Sequence, residues 1–262
     1  METTIKIKKN VKTTNPLLIV GLPGIGNVGR LIAMQLIKEL HAKKIATLTS
    51  AHLPHQVIML KNGKLRLVNN RFYLAKGKHG KQDLIILTGD AQAVTPEGQY
   101  DVNARIAEFF IKRLGGQFIY SLGGYNKENT PVKSPKVYAN ATSFETIEKF
   151  KKKGVVFGES RGMIWGSMGM IVAMAKDQGV DGICLMGESS LLDVDAAAAK
   201  AVMKVLNDSI DIGFDTTKFD KMIAKTAAAI SELEKQLAGQ QVPGFAFPPQ
   251  QQKDQQQPSY IR

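Results

Sequence analysis

The sequence predicts an α/β protein of three layers, in which helices flank both faces of a mainly parallel sheet, with a disordered tail after it. Short apolar runs within Pro16–Gly21 and Asp83–Gly89 are typical of strands buried on both faces. These runs alternate along the chain with segments of helical periodicity, a pattern that favours a parallel sheet covered by helices. After Gly239 the composition changes to Gln and Pro with no periodicity, which indicates disorder.

The strands are predicted from apolar runs and from alternation of apolar and polar residues. Thr4–Lys12 alternates around Ile5, Ile7 and Val11, and Asn62-Gly63 is a hairpin turn signal between two strands. In chain order the predicted strands are residues 4–12, 16–21, 44–48, 56–60, 64–74, 83–89, 118–122, 137–139 and 182–186.

The helices are predicted from apolar residues at three- and four-residue spacing. In chain order they are residues 27–40, 100–114, a basic helix ending at 151–153, then 164–175, 194–212 and 216–237. Gly115-Gly116 ends the second helix. In the last helix an apolar face from Phe219 to Leu237 fits either a helix–helix seam or packing on its own domain. We therefore expect one folded domain, residues 1–238, and a tail, residues 239–262.

Composition and charge exclude several classes of protein. The 262 residues hold one cysteine, which excludes a disulfide framework or a multi-cysteine metal site. No apolar run reaches about 18 residues and the first residues form no secretory signal, so we expect a cytoplasmic protein without a membrane span. The net charge is +12, but 28 of 35 basic residues are Lys and no stacking aromatics are interleaved with them. The basic residues therefore favour a solvated surface, or one that binds an acidic protein, over a surface that binds nucleic acid.

A glycine-rich loop stands between the second strand and the first helix. Gly24, Gly26, Asn27 and Gly29 lie in Gly24-Ile-Gly-Asn-Val-Gly29, which matches the dinucleotide fingerprint in spacing and position. The next strand ends without the acidic residue that a dinucleotide site requires, and no Gly-Lys-Ser/Thr follows. The loop is therefore either a tight turn that packs closely or, as the alternative function, the nucleotide or phosphate site of an α/β enzyme.

Three polar loops follow strands at the expected carboxyl edge of the sheet, where α/β proteins usually bind ligands. They contain Asp90, residues 123–126 and residues 187–190. Asp90 can act as a general base, bind a hydroxyl or cap the next turn. Cys184 lies in an apolar run and is expected to be inert, and the His52/His55 pair lacks further metal ligands. We predict no catalytic residue, cofactor or metal.

Five short motifs give the chain a family resemblance. In order they are Leu22-Pro23-Gly24-Ile25-Gly26-Asn27-Val28-Gly29, Gly89-Asp90-Ala91-Gln92, Gly123-Gly124-Tyr125, Gly166-Ser167-Met168-Gly169 and Leu185-Met186-Gly187-Glu188. Over residues 15–237 the chain resembles the archaeal proteasome assembly chaperone family, the homologues of the second eukaryotic proteasome assembly chaperone. The resemblance implies a phosphorylase-like α/β/α fold without enzymatic activity. It also implies homo-oligomers that bind proteasome α-subunits, α-rings or the core particle without ATP.

The C-terminus is the part to which the resemblance assigns a docking role. In some family members a tail ending hydrophobic–tyrosine–any residue enters a pocket of the proteasome α-ring. Here the last residues are Tyr260, Ile261 and Arg262, so Tyr260 takes the hydrophobic place and Ile261 replaces the tyrosine. A coil of about 20 residues spans roughly 25 Å, enough to reach such a pocket. The plain alternative is an unremarkable disordered end.

Overall fold

A computed structural model describes residues 2–77, 82–126, 132, 134–158, 162–189, 194–225 and 228. Contacts within the chain group Met1–Ile223 into one compact unit. The predicted boundary at residue 238 and the predicted tail, residues 239–262, lie outside the described residues. No helix in these described ranges is long and apolar enough to cross a bilayer.

Among the described residues, eight strands form one mixed sheet and two form a separate hairpin. The strands are β1 Thr4–Ile7, β2 Leu17–Val20, β3 Lys43–Thr49, β4 Val57–Met59, β5 Leu65–Leu67, β6 Asn70–Ala75, β7 Leu84–Gly89, β8 Phe118–Asn126, β9 Val137–Ala141 and β10 Gly182–Ser189. The large sheet has the order β1-β3-β6-β7-β2-β8-β10-β9, and β4 pairs with β5 alone. The four central strands β7, β2, β8 and β10 are parallel, and antiparallel strands flank them on both sides.

Helices cover both faces of the sheet, which confirms the predicted fold class. They are α1 Val28–Glu39, α2 Pro96–Glu108, α3 Phe144–Lys151, α4 Ser167–Asp177 and α5 Ala196–Ile210. One core cluster joins α1, α3 and α5 to the sheet, and the other joins α2 and α4 to the opposite face. In β2, Leu17 and Ile19 belong to the first cluster while Leu18 and Val20 belong to the second. This division explains the unbroken apolar run, since a strand covered on both sides needs no polar face.

The structure corrects several predicted boundaries. The strand predicted at 64–74 is two strands, because the chain leaves the β4–β5 hairpin at Val68 and enters the large sheet at Asn70. β8 continues through Gly123-Gly124 to Asn126 instead of ending at Leu122. α2 begins at Pro96, where the side chain of Thr95 accepts a hydrogen bond from the Gly98 N–H at 3.1 Å, and continues into a π-helical turn.

The last predicted helix is described only at its start. Residues 218–225 are helical. Phe219 is fully buried in the cluster beneath α1 and α5, and Met222 and Ile223 pack against the same cluster. For these residues the apolar face packs on its own domain. The rest of the predicted seam lies outside the described residues.

Candidate functional site

A crevice of about 910 Å³ opens at the carboxyl ends of β2 and β8. From β2 the chain reaches β7 on one side of it, and from β7 it crosses to β8 on the other side, so the strand order reverses here. Ligands of open α/β sheets bind at such switch points. The predicted residues Gly24, Gly29 and 123–126 line the crevice. Asp90 and residues 187–189 do not, but Gln92, two residues after Asp90 in the same loop, does.

The glycine loop forms one wall of the crevice and packs closely against the sheet. A Cβ atom on Gly29 would overlap the carbonyl oxygen of Leu122 in β8, so α1 touches the strand at this point. Gly26 has φ +58°, and a Cβ atom there would lie 2.5 Å from the Oγ of Ser189. The Gly26 carbonyl oxygen also accepts a hydrogen bond from the N–H of Asp195 at 2.8 Å. Because a larger residue would collide with these neighbours, close packing explains why both positions are glycine.

Asn27 turns the loop into the helix. It stands at the N-cap of α1 with φ 47°, a left-handed conformation that asparagine adopts more readily than most residues. Its N–H donates to the carbonyl oxygen of Gly24 at 2.9 Å. Gly24 itself is extended, with φ −172°, and lies at the rim of the crevice. The loop thus follows the tight-turn interpretation of the sequence.

Gln92 ties the glycine loop to α4 across the crevice. Its Nε2 donates to the carbonyl oxygen of Pro23 at 2.6 Å, and its Oε1 accepts from the N–H of Ser167 at 2.8 Å. Ser167 is the first residue of α4, so Gln92 satisfies a helix N–H that has no partner within the helix. In the sequence Gln92 stands out only as part of a motif, and this role is not predictable from it.

A second polar contact supports the same helix start from α2. The Oγ of Ser167 donates to Oε1 of Gln99 at 3.2 Å, and Nδ2 of Asn103 donates to the same oxygen at 3.0 Å. Nε2 of Gln99 donates to the Ala93 carbonyl oxygen at 2.6 Å. Because Ser167 and Asn103 are buried, this network fixes α4 against α2.

The crevice is lined mainly by apolar and aromatic groups. The rings of Tyr125 and Tyr138 lie 5.0 Å apart along one side. Trp165 is 83% exposed at the rim. All lining residues that the structure describes are uncharged. Within the described ranges, the buried Oγ of Ser121 and Oδ1 of Asn126 have no hydrogen-bond partner. Such a surface can hold a neutral group with an aromatic part and a hydrogen-bond donor.

Asp90 lies away from the crevice and is held by two arginines. Its carboxylate accepts from Arg66 at 2.5 and 2.9 Å, from Arg71 at 3.0 Å and from the Asn69 N–H at 3.0 Å. Burial alone raises the pKa of Asp90, but the hydrogen bonds from Arg66 and Asn69 and the charges of Arg71 and Arg66 outweigh it and hold the pKa below its usual value. An ionised, fully hydrogen-bonded carboxylate anchors the hairpin and is a poor general base.

The remaining sequence candidates do not meet at the crevice. Within the described part of the chain, no group of three or more His, Cys, Asp or Glu side chains could hold a metal ion. The Nε2 of His52 lies 3.8 Å from Oδ2 of Asp101. Cys184 is buried, its Sγ donates to the Met168 carbonyl oxygen at 3.3 Å, and burial raises the pKa of the thiol to about 12. Tyr260, Ile261 and Arg262 lie outside the described residues.

Comparisons with known proteins agree with the family resemblance that the five motifs indicate. The chain is 36% identical to PbaB of Pyrococcus furiosus, described as an archaeal proteasome activator, with a TM-score of 0.84 over 89% of this chain and 99% of that one. PbaA of the same organism, an archaeal homolog of proteasome-assembly chaperone, shares the fold at 23% identity, with a TM-score of 0.75 over 91% of this chain and 94% of that one. An uncharacterized protein of Methanocaldococcus jannaschii is 33% identical over 88% of each chain.

The family model covers most of the folded chain. It is the model of the PAC2 family, and it matches residues 18–234, which include all five motifs. The resemblance predicted from those motifs is confirmed, and the chain belongs to the PAC2 family.

Proposed function

We propose that this chain is a proteasome-binding chaperone that contacts proteasome α-subunits or α-rings without ATP and carries out no catalysis of its own. The observation that carries the proposal is the likeness to PbaB, at 36% identity over almost the whole of both chains. Among the described residues, the crevice lining contains no carboxylate, histidine or lysine side chain, which is compatible with a binding role.

Two partners of the same machinery are compatible with this role. An assembly chaperone binds free α-subunits or intermediates, whereas an activator binds the assembled core particle. The likeness to PbaB favours the core particle as a partner in addition to α-subunits. PbaA, at 23% identity, supports the fold and does not decide between the two.

Several copies of the chain would act together in the cytoplasm. A homo-oligomer presents several tails at once, so that weak contacts of Tyr260, Ile261 and Arg262 add up through a high effective concentration. The role needs no cofactor, membrane or nucleic acid.

The direct test is native mass spectrometry of the purified chain mixed with archaeal α-subunits and, separately, with core particles. We expect complexes in both mixtures without nucleotide and no change in their abundance on adding ATP. A parallel peptidase assay of the core particle separates the two roles, because only an activator raises the rate. Absence of any complex at micromolar concentrations would overturn the proposal.

The crevice favours a second candidate function, the binding of a small neutral ligand. The partnerless Ser121 Oγ and Asn126 Oδ1, described above, lie beside an aromatic wall. A nucleoside or another neutral ring with N–H donors fits these groups better than a phosphate does, since the described lining has no cation. A thermal shift screen that compares nucleosides with nucleotides tests this candidate.

A further inference from the structure

One side of the sheet carries no covering helix at β1, β3 and β6. On this side α1 lies over β7, β2 and β8, and α5 lies over β8, β10 and β9. Residues directly opposite each other on paired strands share a face, so Lys6, Thr47 and Arg71 form one row across the three strands. We call this surface the basic sheet face: Thr4, Lys6, Lys44, Thr47, Thr49, Arg71 and Tyr73.

The alternate residues of the same strands fix the basic sheet face from behind. Leu48 and Phe72 are fully buried in the cluster beneath α2 and α4, and Ile5 packs against that cluster. This alternation is typical of an antiparallel sheet with one packed side and one side toward solvent. Tyr73 is partly exposed and packs against the cluster beneath α1, at the border of the covered region. The basic sheet face is therefore a preformed surface.

The basic sheet face carries cations and no carboxylate. β1, β3 and β6 contain no Asp or Glu, and the exposed Lys8 follows directly after β1. Arg71 binds Asp90 at 3.0 Å. Lys6, Lys8 and Lys44 are exposed, and within the described ranges none of the three forms an ion pair. Their positive charge is therefore left without a neighbouring acid.

Lysines on the helical side of the chain are arranged differently. Lys112 lies 3.2 Å from Glu108, and Lys151 lies 2.8 Å from Glu148. Such surfaces of mixed sign are sufficient for solubility. On the basic sheet face like charges stand close together and repel, which destabilises the folded chain until an oppositely charged group is bound. The arrangement thus favours an acidic partner over plain solvation.

We propose that the basic sheet face binds an acidic segment of another polypeptide. Lys6 and Arg71 lie on either side of Thr47, one strand away in each direction, so their backbones are about 10 Å apart. An extended chain places successive side chains of one face about 7 Å apart, and the flexible lysine stems can span the difference. The paired hydroxyls of Thr4 and Thr49, 3.2 Å apart, add hydrogen-bond donors for carboxylates.

The same residues fit a nucleic acid less well. Tyr73 is the one aromatic residue of the basic sheet face, whereas single strands of nucleic acid need a row of stacking rings. Its one arginine, Arg71, is already held by Asp90. Three short strands offer a small area, so we expect a weak contact that depends on salt. The proposal goes beyond the proteasome role and stands without it.

The first experiment measures the binding of a fluorescent peptide of ten glutamates by anisotropy. The double variant Lys6→Gln, Lys44→Gln should weaken binding about fivefold, the combined effect of two exposed ion pairs. The matched control, Lys149→Gln, Lys204→Gln, removes the same charge from exposed positions on α3 and α5. It should keep the affinity within about twofold, because distant charges are screened by salt.

The second experiment uses the unmodified chain. Lysine acetylation with and without the glutamate peptide is followed by mass spectrometry. Lys6 and Lys44 should be acetylated at least about threefold more slowly with the peptide present, since an ion-paired ammonium is shielded from the reagent. Lys149 and Lys204 should react at the same rate in both samples.

Three outcomes would overturn the proposal: no binding of the peptide at low salt, equal weakening by the two double variants, or no protection of Lys6 and Lys44. Tighter binding of a uridine decamer, lost in the same double variant, would assign the basic sheet face to nucleic acid and also overturn it. Failure of the proteasome role leaves these results unchanged, because the peptide is the probe throughout.

Discussion

The side-chain amide of Gln92 donates to the carbonyl oxygen of Pro23 at 2.6 Å, across the mouth of the crevice. The Oε1 of Gln92 accepts a hydrogen bond from the N–H of Ser167. Residues of three of the five family motifs therefore meet at the Gln92 side chain. The motifs that identify the family therefore build a scaffold: a turn, a strand end and a helix start held in fixed relation.

The first prediction concerns this bridge. Gln92→Ala leaves the Pro23 carbonyl and the Ser167 N–H without their partner, and an unsatisfied buried polar group costs about 1–3 kcal/mol. We expect the free energy of unfolding, measured in urea, to fall by that amount. The control is Gln178→Ala, an exposed residue at the end of α4, where surface changes stay within about 0.5 kcal/mol. Equal stability of the two variants would contradict the bridging role.

The second prediction tests the close packing of the glycine loop. Gly29→Ala places a methyl group against the backbone of β8, which cannot yield as a side chain can, so we expect a loss of more than about 2 kcal/mol or no soluble protein. Gly162→Ala is the matched control, because a Cβ atom there meets nothing within 4 Å. Thermal unfolding measures both. A normal melting temperature for Gly29→Ala would argue against the close approach of α1 and β8.

The third prediction concerns pH. Asp90→Asn keeps the shape of the side chain but removes a charge that two arginines bind, and we expect a loss of at least about 1.5 kcal/mol at pH 7. Because the folded pKa of Asp90 lies below the unfolded value of about 3.9, its contribution is complete above that value and disappears as the pH falls through the folded pKa. The stability gap between wild type and variant should therefore stay constant from about pH 7 to pH 5 and narrow below about pH 4.

Urea unfolding at several pH values measures this gap. Asp208→Asn, an exposed carboxyl on α5, is the control and should change stability by no more than about 0.5 kcal/mol at pH 7. A gap that widens in acid would mean that Asp90 is stabilised in its protonated form.

The fourth prediction tests the last residues. Deleting Tyr260–Arg262 should weaken proteasome binding at least tenfold, as measured by interferometry. The deletion removes the apolar side chains at the end of the tail and leaves the new terminal carboxylate without them. Deleting Gln250–Gln252 removes the same number of residues from the tail but keeps its end, and should leave binding within about twofold, since reach changes only slowly with length. Ile261→Tyr restores the hydrophobic–tyrosine–any order and should strengthen binding. Unchanged binding in all three variants would remove the tail from the mechanism.

The fifth prediction concerns the alternative ligand site. A thermal shift panel of ATP, NAD and nucleosides should show no shift with ATP or NAD, because the glycine loop is packed against β8 and α5 and the described crevice lining carries no cation. A ligand that binds the folded state at 100 times its Kd stabilises by about 2.7 kcal/mol, which the panel would detect. A rise with ATP would revive the nucleotide hypothesis, and a rise with nucleosides alone would support the neutral ligand.

The central sheet is the part that the sequence predicts well. Leu17, Leu18, Ile19 and Val20 are all apolar, and this pattern is strong because helices cover both faces of β2. The crevice was also predictable in position, since its glycines follow strands at the switch point of the sheet.

Long-range polar partners were not predictable in the same way. Arg66 and Asp90 are 24 residues apart, and they meet only because the hairpin folds back on the end of β7. A local signal for the separate hairpin did exist: exposed Leu65 and Leu67 stand at odd positions, whereas buried Val68 and Phe72 stand at even ones. This change of phase marks the point where the chain passes from one sheet to another.

The outermost strand β1 gives part of the basic surplus a physical purpose. It is a four-residue edge strand that carries Lys6 and is followed by Lys8 and Lys9. Short edges bearing lysine resist pairing with the edge of another molecule, because joining them would bring like charges together. These lysines thus protect the sheet from open-ended growth, in which the edge strand of one molecule would pair with the edge of the next and extend the sheet into a fibre.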